Sequence, residues 1–592
     1  MLAPAAAPTR RFQLVLIKPS HYDDDGYVIQ WLRSAVPSNS LATVYALAGD
    51  AAARQVLGPD VAIDITAIDE TNTRVRPERI VAQLARHGGF GMVGLVGVQS
   101  NQFPRALDLA RPLRAAGIPV VIGGFHAAGC LAMLAEMQAD LRAALDLGIS
   151  LFAGEAEEGR IDEVLRHAAA GRLEPVYNHL TDLPGIEAVP PPFLPPSHVE
   201  RTTGRYGSFD AGRGCPYQCS FCTIINVQGR KSRRRSPDDI EAIVRQNWAK
   251  GISRFFVTDD NFARNKDWEA VFDRIIELRD EGIDLRLIIQ VDTLCHKIPN
   301  FIEKAKQAGV RRAFIGLENI NPDNLLAAKK RQNKITEYRK MLLAWKQAGV
   351  ITYAGYILGF PNDTPESIRR DIEIIKRELP LDILEFFCLT PLPGSEDHKV
   401  LWQKGVWMDP DMNKYDLEHI VTGHPRMTKE EWEGIYREAW DAYYTPEHME
   451  TVMRRAAATG TGLGRLVPML LWFSMSARIE KVHPLQSGIF RIKHRRDRRP
   501  GLPVEPVWTF YPKYFGEILS KHAALARQWW RLERIRRRIK ADPNTRAYTD
   551  QALTPPVDDE VESLEMFTQS DAARAAVKRA QDQAKLTALV GA

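Results

Sequence analysis

The stretch Gly212-Arg-Gly-Cys-Pro-Tyr-Gln-Cys-Ser-Phe-Cys-Thr223 decides how this chain is read. Its cysteines, Cys215, Cys219 and Cys222, are spaced C-x3-C-x2-C directly after Tyr206–Ala211, a run with the pattern of a strand. Iron–sulfur clusters are normally held by four thiolates. Three thiolates from one tight loop leave one iron without a protein ligand, open to a substrate or cofactor. Gly212, Gly214 and Pro216 suit a loop that wraps a compact inorganic core. A zinc knuckle is the competing reading, but it wants a fourth Cys or His beside the loop, and none is there.

Downstream, strand patterns at Arg254–Thr258, Leu285–Val291, Arg311–Glu318, Ile351–Leu358 and Leu384–Leu389 alternate with helical ones. With Tyr206–Ala211 they make a (β/α)6 partial barrel, whose chemistry belongs at the C-terminal strand ends. Upstream, Gln13–Ile17, Val61–Asp69, Met92–Val98, Pro119–Gly124 and Ile149–Gly154 read as buried strands. Pro77–His87 and Pro104–Ala116 read as crossover helices between them, which predicts a doubly wound parallel sheet of Rossmann or flavodoxin type. The α/β chain therefore divides into a sheet domain (11–172), a Pro-rich linker (173–205), the barrel (206–400), a mostly helical, aromatic and basic region (401–553) and a loosely packed tail (554–592).

A length of 592 residues is too great for one core, and 45% apolar with 26% charged residues is ordinary globular composition. Net charge is +5, which by itself calls for no nucleic acid, yet Arg478–Lys540 holds 17 Lys/Arg against 5 Asp/Glu. Six cysteines are too few for a disulfide scaffold and indicate a reducing cytoplasm. The longest apolar run, Leu466–Met475, is far short of the ~20 residues a membrane span needs. His494–Arg499 and Arg531–Lys540 flank Trp508, Tyr511, Tyr514, Trp529 and Trp530, a mixture that suits peripheral contact with an anionic membrane and a lipid-like substrate. The competing reading is a helical cap with a charged outer face. Arg230–Arg235 reads as a solvated basic loop with one Arg turned to the site.

The cysteine spacing, with Phe221 before the last cysteine, resembles the radical S-adenosylmethionine superfamily. The resemblance implies a [4Fe-4S] cluster on the three cysteines, whose open iron chelates S-adenosylmethionine. It implies reductive cleavage of that cofactor to a 5′-deoxyadenosyl radical, with electrons from a flavodoxin- or ferredoxin-type donor. Asp259, Asp260 and Asn261 match the family's methionine-contacting strand end, Gly316 and Glu318 its ribose segment, and Gly359 its adenine-side glycine. The first domain then looks like the cobalamin-binding domain of one branch of the superfamily, on Ser100, Gly123, Gly124, His126, Gly154 and Glu155. An Asp-x-His-x-x-Gly loop is absent; His21 lies in the corresponding loop without that spacing. The expected activity is cobalamin-dependent C-methylation of an unactivated carbon. Cyclisation, rearrangement or oxidation with the same cofactors, and a nonenzymatic iron–sulfur sensor or scaffold, stand as alternatives. Cys388 reads as a buried thiol, while Cys295, near the site, could be reactive.

Overall fold

A computed structural model of the chain describes residues 9–554 and 564–590. The first strands are β1 (Arg10–Lys18), β2 (Gln30–Ser34), β3 (Val61–Asp69), β4 (Gly91–Leu95), β5 (Val120–Gly123), β6 (Ser150–Ala153) and β7 (Val176–Asn178). All but β2 join one parallel sheet in the order β3-β1-β4-β5-β6-β7. Successive side chains of a strand face opposite sides. Leu14, Leu16, Met92 and Phe152 therefore enter one core, and Val15, Ile17, Val93 and Leu151 the other. Helices cover both, as the near-continuous apolar strands require.

The second sheet is built from β8 (Gly207–Phe209), β11 (Arg254–Val257), β12 (Arg286–Val291), β13 (Val310–Glu318), β14 (Ile351–Leu358) and β15 (Ile383–Cys388). Each strand is parallel to the one before it, and the six follow one another in sequence order without a switch point: a partial barrel. Between β8 and β11 a short hairpin of β9 (Gly212–Arg213) and β10 (Arg233–Arg234) carries the cysteine loop. The outer helices start on strong caps: Ser236 with Asp239 before Pro237–Trp248, and Thr364 with Ser367 before Pro365–Glu378.

Three features depart from expectation. Residues 30–34 pair antiparallel with β16 (Gly488–Ile492), so the C-terminal region grips the first domain. The basic stretch beside β16 is part of that grip: Arg491 pairs with Asp23 and Asp497 with Arg74, while Arg499 pairs with Asp411 of its own region. The tail expected from Thr554 is not loose where it is described. Helices Glu565–Thr568 and Asp571–Val590 pack on the barrel helices Ile335–Gln347 and Pro365–Glu378, burying Met566, Phe567, Ala573 and Val577. Apolar residues at helical spacing drive that docking, and Glu378 caps it by accepting the Glu565 and Met566 N–H groups at 3.0 Å. Residues 555–563 of the expected tail lie outside the described residues.

Inside the barrel Glu385 is fully buried next to Tyr353, and neither carboxyl oxygen has a hydrogen-bond partner. Burial alone pushes it up to about 8. The unfolded carboxylate ionises near 4.5, so the native state holds a proton the unfolded state has lost between about pH 4.5 and 8. Stability must fall as pH rises through that window, by on the order of 5 kcal/mol in full. Glu385→Gln should therefore raise the melting temperature over wild type clearly at pH 8.5 and little at pH 5. Parallel pH profiles for the two proteins would refute this.

Candidate functional site

The cysteine loop sits where β8 ends. Gly214 has φ +89°, and a Cβ there would lie 2.5 Å from the Lys231 carbonyl, so only glycine lets the loop fold against its own hairpin. Cys215 N–H donates to Gly229 O (3.3 Å), Ser220 N–H to Ala328 O (3.0 Å), and Cys222 N–H to Cys219 O (3.2 Å). Burial pushes the Cys215 thiol up to about 11 and the Cys222 thiol to about 12. Two cations or donors unmarked in the sequence reading approach the same sulfurs. Gln332 Nε2 donates to Cys219 Sγ at 3.4 Å, and Lys330, buried and paired with Glu318, lies in the field of Cys219 and Cys222. Three thiols from one loop, a neutral donor and a balancing ammonium fit a cluster with thiolate ligands. Among the described residues no three His, Cys, Asp or Glu side chains gather around a single-ion position.

Of the three polar residues at the end of β11, the fold sends each a different way. Asp259 turns to the backbone at the end of the neighbouring strand β8, accepting Ala211 N–H at 2.6 Å and approaching Asn265. Asn261 donates to Asp292 (2.9 Å), which also takes Arg264 and the Tyr217 hydroxyl. Asp260 alone of the three lines a cavity, and burial pushes it up to about 7. A carboxyl so placed is ready to take an ammonium group, which would favour its ionised form. Gly316 backs onto the Glu318–Lys330 pair. Gly359 (φ +101°) lies against Trp432 of helix Lys429–Tyr443, where a Cβ would sit 1.8 Å from the indole, so its smallness serves the cap.

That cavity, about 1130 Å³ and partly open to solvent, is the ground between the two sheets. Ser100 and Asn101 at the end of β4 face Thr258 and Asp260 at the end of β11; Thr223, Pro393 and Asp416 close the sides. A second, mostly apolar space of about 1150 Å³ lies under the first sheet, between Leu16, Met92 and Phe152 and the helices Asn39–Ala53 and Arg160–Ala169. Its rim is Gly97, Gly123, Gly124 and Gly154. A Cβ on Gly124 would lie 2.2 Å from Val98 N, and one on Gly154 3.0 Å from His179, so bare backbone forms that rim. Both spaces share Asn39, Ser40, Phe125, Arg213 and Gln228 in their walls. A large cofactor with an apolar appendage fits such a cradle.

Two residues expected at the ligand edge of the first domain do other work. His126 is buried, with Nδ1 3.1 Å from Ser100 Oγ and Nε2 2.8 Å from Asp140; of the three, Ser100 reaches the cavity wall. Glu155 lies at the wall but is held by Arg213 (2.5 Å) and Arg233, while Glu157 takes the other arm of Arg213 (2.7 Å). Asp210 and Arg235 complete this buried array, which welds β6 to the cysteine hairpin. Of the run Arg230–Arg235 only the first half is solvated: Arg230 and Lys231 are exposed, while Arg233, Arg234 and Arg235 bond Glu155, Asp267 and the Asp210 carbonyl. Buried carboxylates from two domains draw them inward. Cys295 is wholly buried with its thiol pushed up to about 12, which leaves no reactive sulfur there. Cys388 is buried as expected.

The domains touch closely where Gly129 meets Pro393 and Gly394; a Cβ on Gly129 would sit 2.4 Å from the Pro393 carbonyl. Gly129→Ala should force the sheets apart and cost about 1–3 kcal/mol, as overpacking does. Thermal unfolding checks it, and an unchanged melting temperature would show that the contact yields.

Residues 211–375 match the family model described as "Radical SAM superfamily". Bacteriochlorophyllide d C-8(2)-methyltransferase of Chlorobaculum tepidum is 24% identical over 351 residues, 56% of this chain and 73% of that protein. Hopanoid C-2 methylase of Rhodopseudomonas palustris is 28% identical over 222 residues, 36% of this chain and 41% of that protein. The solved structure of the radical S-adenosylmethionine methyltransferase TsrM from Kitasatospora setae, with cobalamin and a [4Fe-4S] cluster bound, superposes with a TM-score of 0.52 at 15% identity. It covers 73% of this chain and 88% of that one.

Proposed function

Because the barrel of this enzyme is a radical SAM domain, we propose that the chain methylates an unactivated carbon, using a [4Fe-4S] cluster, S-adenosylmethionine and cobalamin. The observation that carries the reading is the shared wall between the two cavities. It sets Ser100 across one chamber from Thr258, Asp260 and the flanks of the cysteine loop, Gly212 and Thr223, with the glycine rim of the first sheet in the adjoining space. Two sequence relatives, a bacteriochlorophyllide d methyltransferase and a hopanoid methylase, support the same chemistry.

When bound, these cofactors supply the electron that cleaves the sulfonium and the methyl group that is transferred. The chain's own residues hold and shield. Cys215, Cys219 and Cys222 would anchor the cluster, with Lys330 offsetting its negative charge and Gln332 donating to a ligand sulfur. Asp260 would receive the α-ammonium of S-adenosylmethionine. The bare glycine rim would let a corrin lie close to backbone, its appendage in the apolar space below. Asp416 and Pro393 narrow the chamber, which keeps water from a reactive species. The substrate is a small or lipid-like molecule, and a flavodoxin- or ferredoxin-type protein is the expected reductant.

The test is anaerobic reconstitution with iron, sulfide and cobalamin, then addition of dithionite and methyl-labelled S-adenosylmethionine. The expected result is 5′-deoxyadenosine together with label on the corrin. A protein that holds zinc or no metal at the cysteines, or that makes neither product, overturns the reading.

A further inference from the structure

We propose that one face of the 35-residue helix Val507–Ala541 docks the protein on an anionic lipid bilayer surface. At ~1.5 Å per residue this helix is about 50 Å long, and it exposes a single stripe from end to end. Its inner face is Phe510, Gln528, Leu532, Ile535 and Ile539, which pack on the protein. Three or four residues apart along the outer face come Trp508 (78% exposed), Tyr511, Phe515 (56%) and Leu519 (72%). The exposed side continues into Trp530, with Arg527, Arg531 and Arg534 exposed along its flank, while Arg538 is paired with Glu450. The stripe is thus aromatic and aliphatic in its first half and cationic in its second.

A charged outer face alone would be an ordinary solvated helix. Large apolar side chains left this bare are not ordinary, because each costs free energy in water. The chain adds to the patch beside the helix. Phe490 (50% exposed) stacks on His522 of the helix, and the ribbon register sets Leu32 (54%) opposite Phe490. Tryptophan, tyrosine and phenylalanine with adjacent arginines are the composition of a segment seated at the headgroup–acyl boundary. The cations choose the partner: an anionic surface complements them, while a second copy of this chain would set arginines against arginines in a parallel pairing of the same helix and against Trp508, Phe515 and Leu519, not against acids, in an antiparallel one. No helix among the described residues is long and apolar enough to cross a membrane, so the contact is with the surface. The seat adjoins the chamber: Pro484–Gln486 lies just before β16, and Gln486 lines the cavity between the sheets.

Full-length protein, without reconstitution, is mixed with vesicles of phosphatidylglycerol and phosphatidylcholine, or of phosphatidylcholine alone, and sedimented. Binding to the anionic vesicles and at least tenfold weaker binding to neutral ones is expected. The variant Trp508→Ser/Phe515→Ser/Leu519→Ser should lose binding at all salt concentrations. Arg531→Ala/Arg534→Ala should lose about fivefold per residue at low salt and little at high salt. All these side chains are on the surface, so unchanged melting temperatures will certify the fold. Wild-type protein that stays in the supernatant with anionic vesicles overturns the proposal. So does concentration-dependent self-association that the triple variant abolishes while vesicle binding is absent. Neither outcome bears on methyl transfer, which is read from the soluble products.

Discussion

Replacing Cys215, Cys219 or Cys222 singly by alanine is expected to abolish 5′-deoxyadenosine formation and to strip the reconstituted protein of most of its iron and sulfide. The three sulfurs come from one loop whose backbone is tied at Gly229, Ala328 and Cys219 itself, so no neighbouring thiol can step in. The remaining cysteines, Cys130, Cys295 and Cys388, are all buried elsewhere in the fold. A graded series sharpens the test. Gln332→Ala and Lys330→Met remove a hydrogen bond to Cys219 and a cation beside it, but no ligand. Each should cost ~10–100-fold in rate or cluster retention, the scale of outer-shell changes, and leave activity measurable. A Cys219→Ala protein with full iron content and turnover would mean that the cluster is held elsewhere.

The second large effect falls on Arg213, the residue between the two glycines of the same loop. It is buried with three carboxylates: Asp210 of its own domain, and Glu155 and Glu157 of the other. Burial opposes its charge, and the three acids more than restore it, holding the guanidinium well above its usual range. Arg213→Met would leave those carboxylates in a dry interface with only Arg233 and Arg235 to share. Removing one partner of a buried ion pair typically costs about 3–5 kcal/mol. The expected result is a marked fall in melting temperature and separate unfolding of the two sheets, since the lost bonds are those that join them. Glu155→Gln should be milder, because Arg213 keeps Asp210 and Glu157. If Arg213→Met unfolds like wild type in one transition, the array is not what couples the domains.

Apart from β7, which falls in the stretch read as linker, the alternation of apolar runs and helix patterns was enough to set both sheets, because a strand buried on both faces needs no distant information to be recognised. β3 and β14 fall on the same residues in sequence and structure, and the other strands within a few. The cysteine spacing was equally local: Cys215, Cys219 and Cys222 fall in one short loop. What the chain could not announce is which side of each loop residue looks inward. Asp259, Asp260 and Asn261 are adjacent, yet Asp260 faces the chamber while its neighbours bond to Ala211 and Asp292. Glu155 and Arg213 are 58 positions apart, and β2 meets β16 across more than 450. Buried ion pairs, close glycine contacts and ribbons of that span depend on how two finished domains lie together. Composition placed the basic residues near the C-terminus. Only packing divided them into arginines spent on Asp23 and Asp411 and arginines left facing outward beside a row of bare aromatic rings.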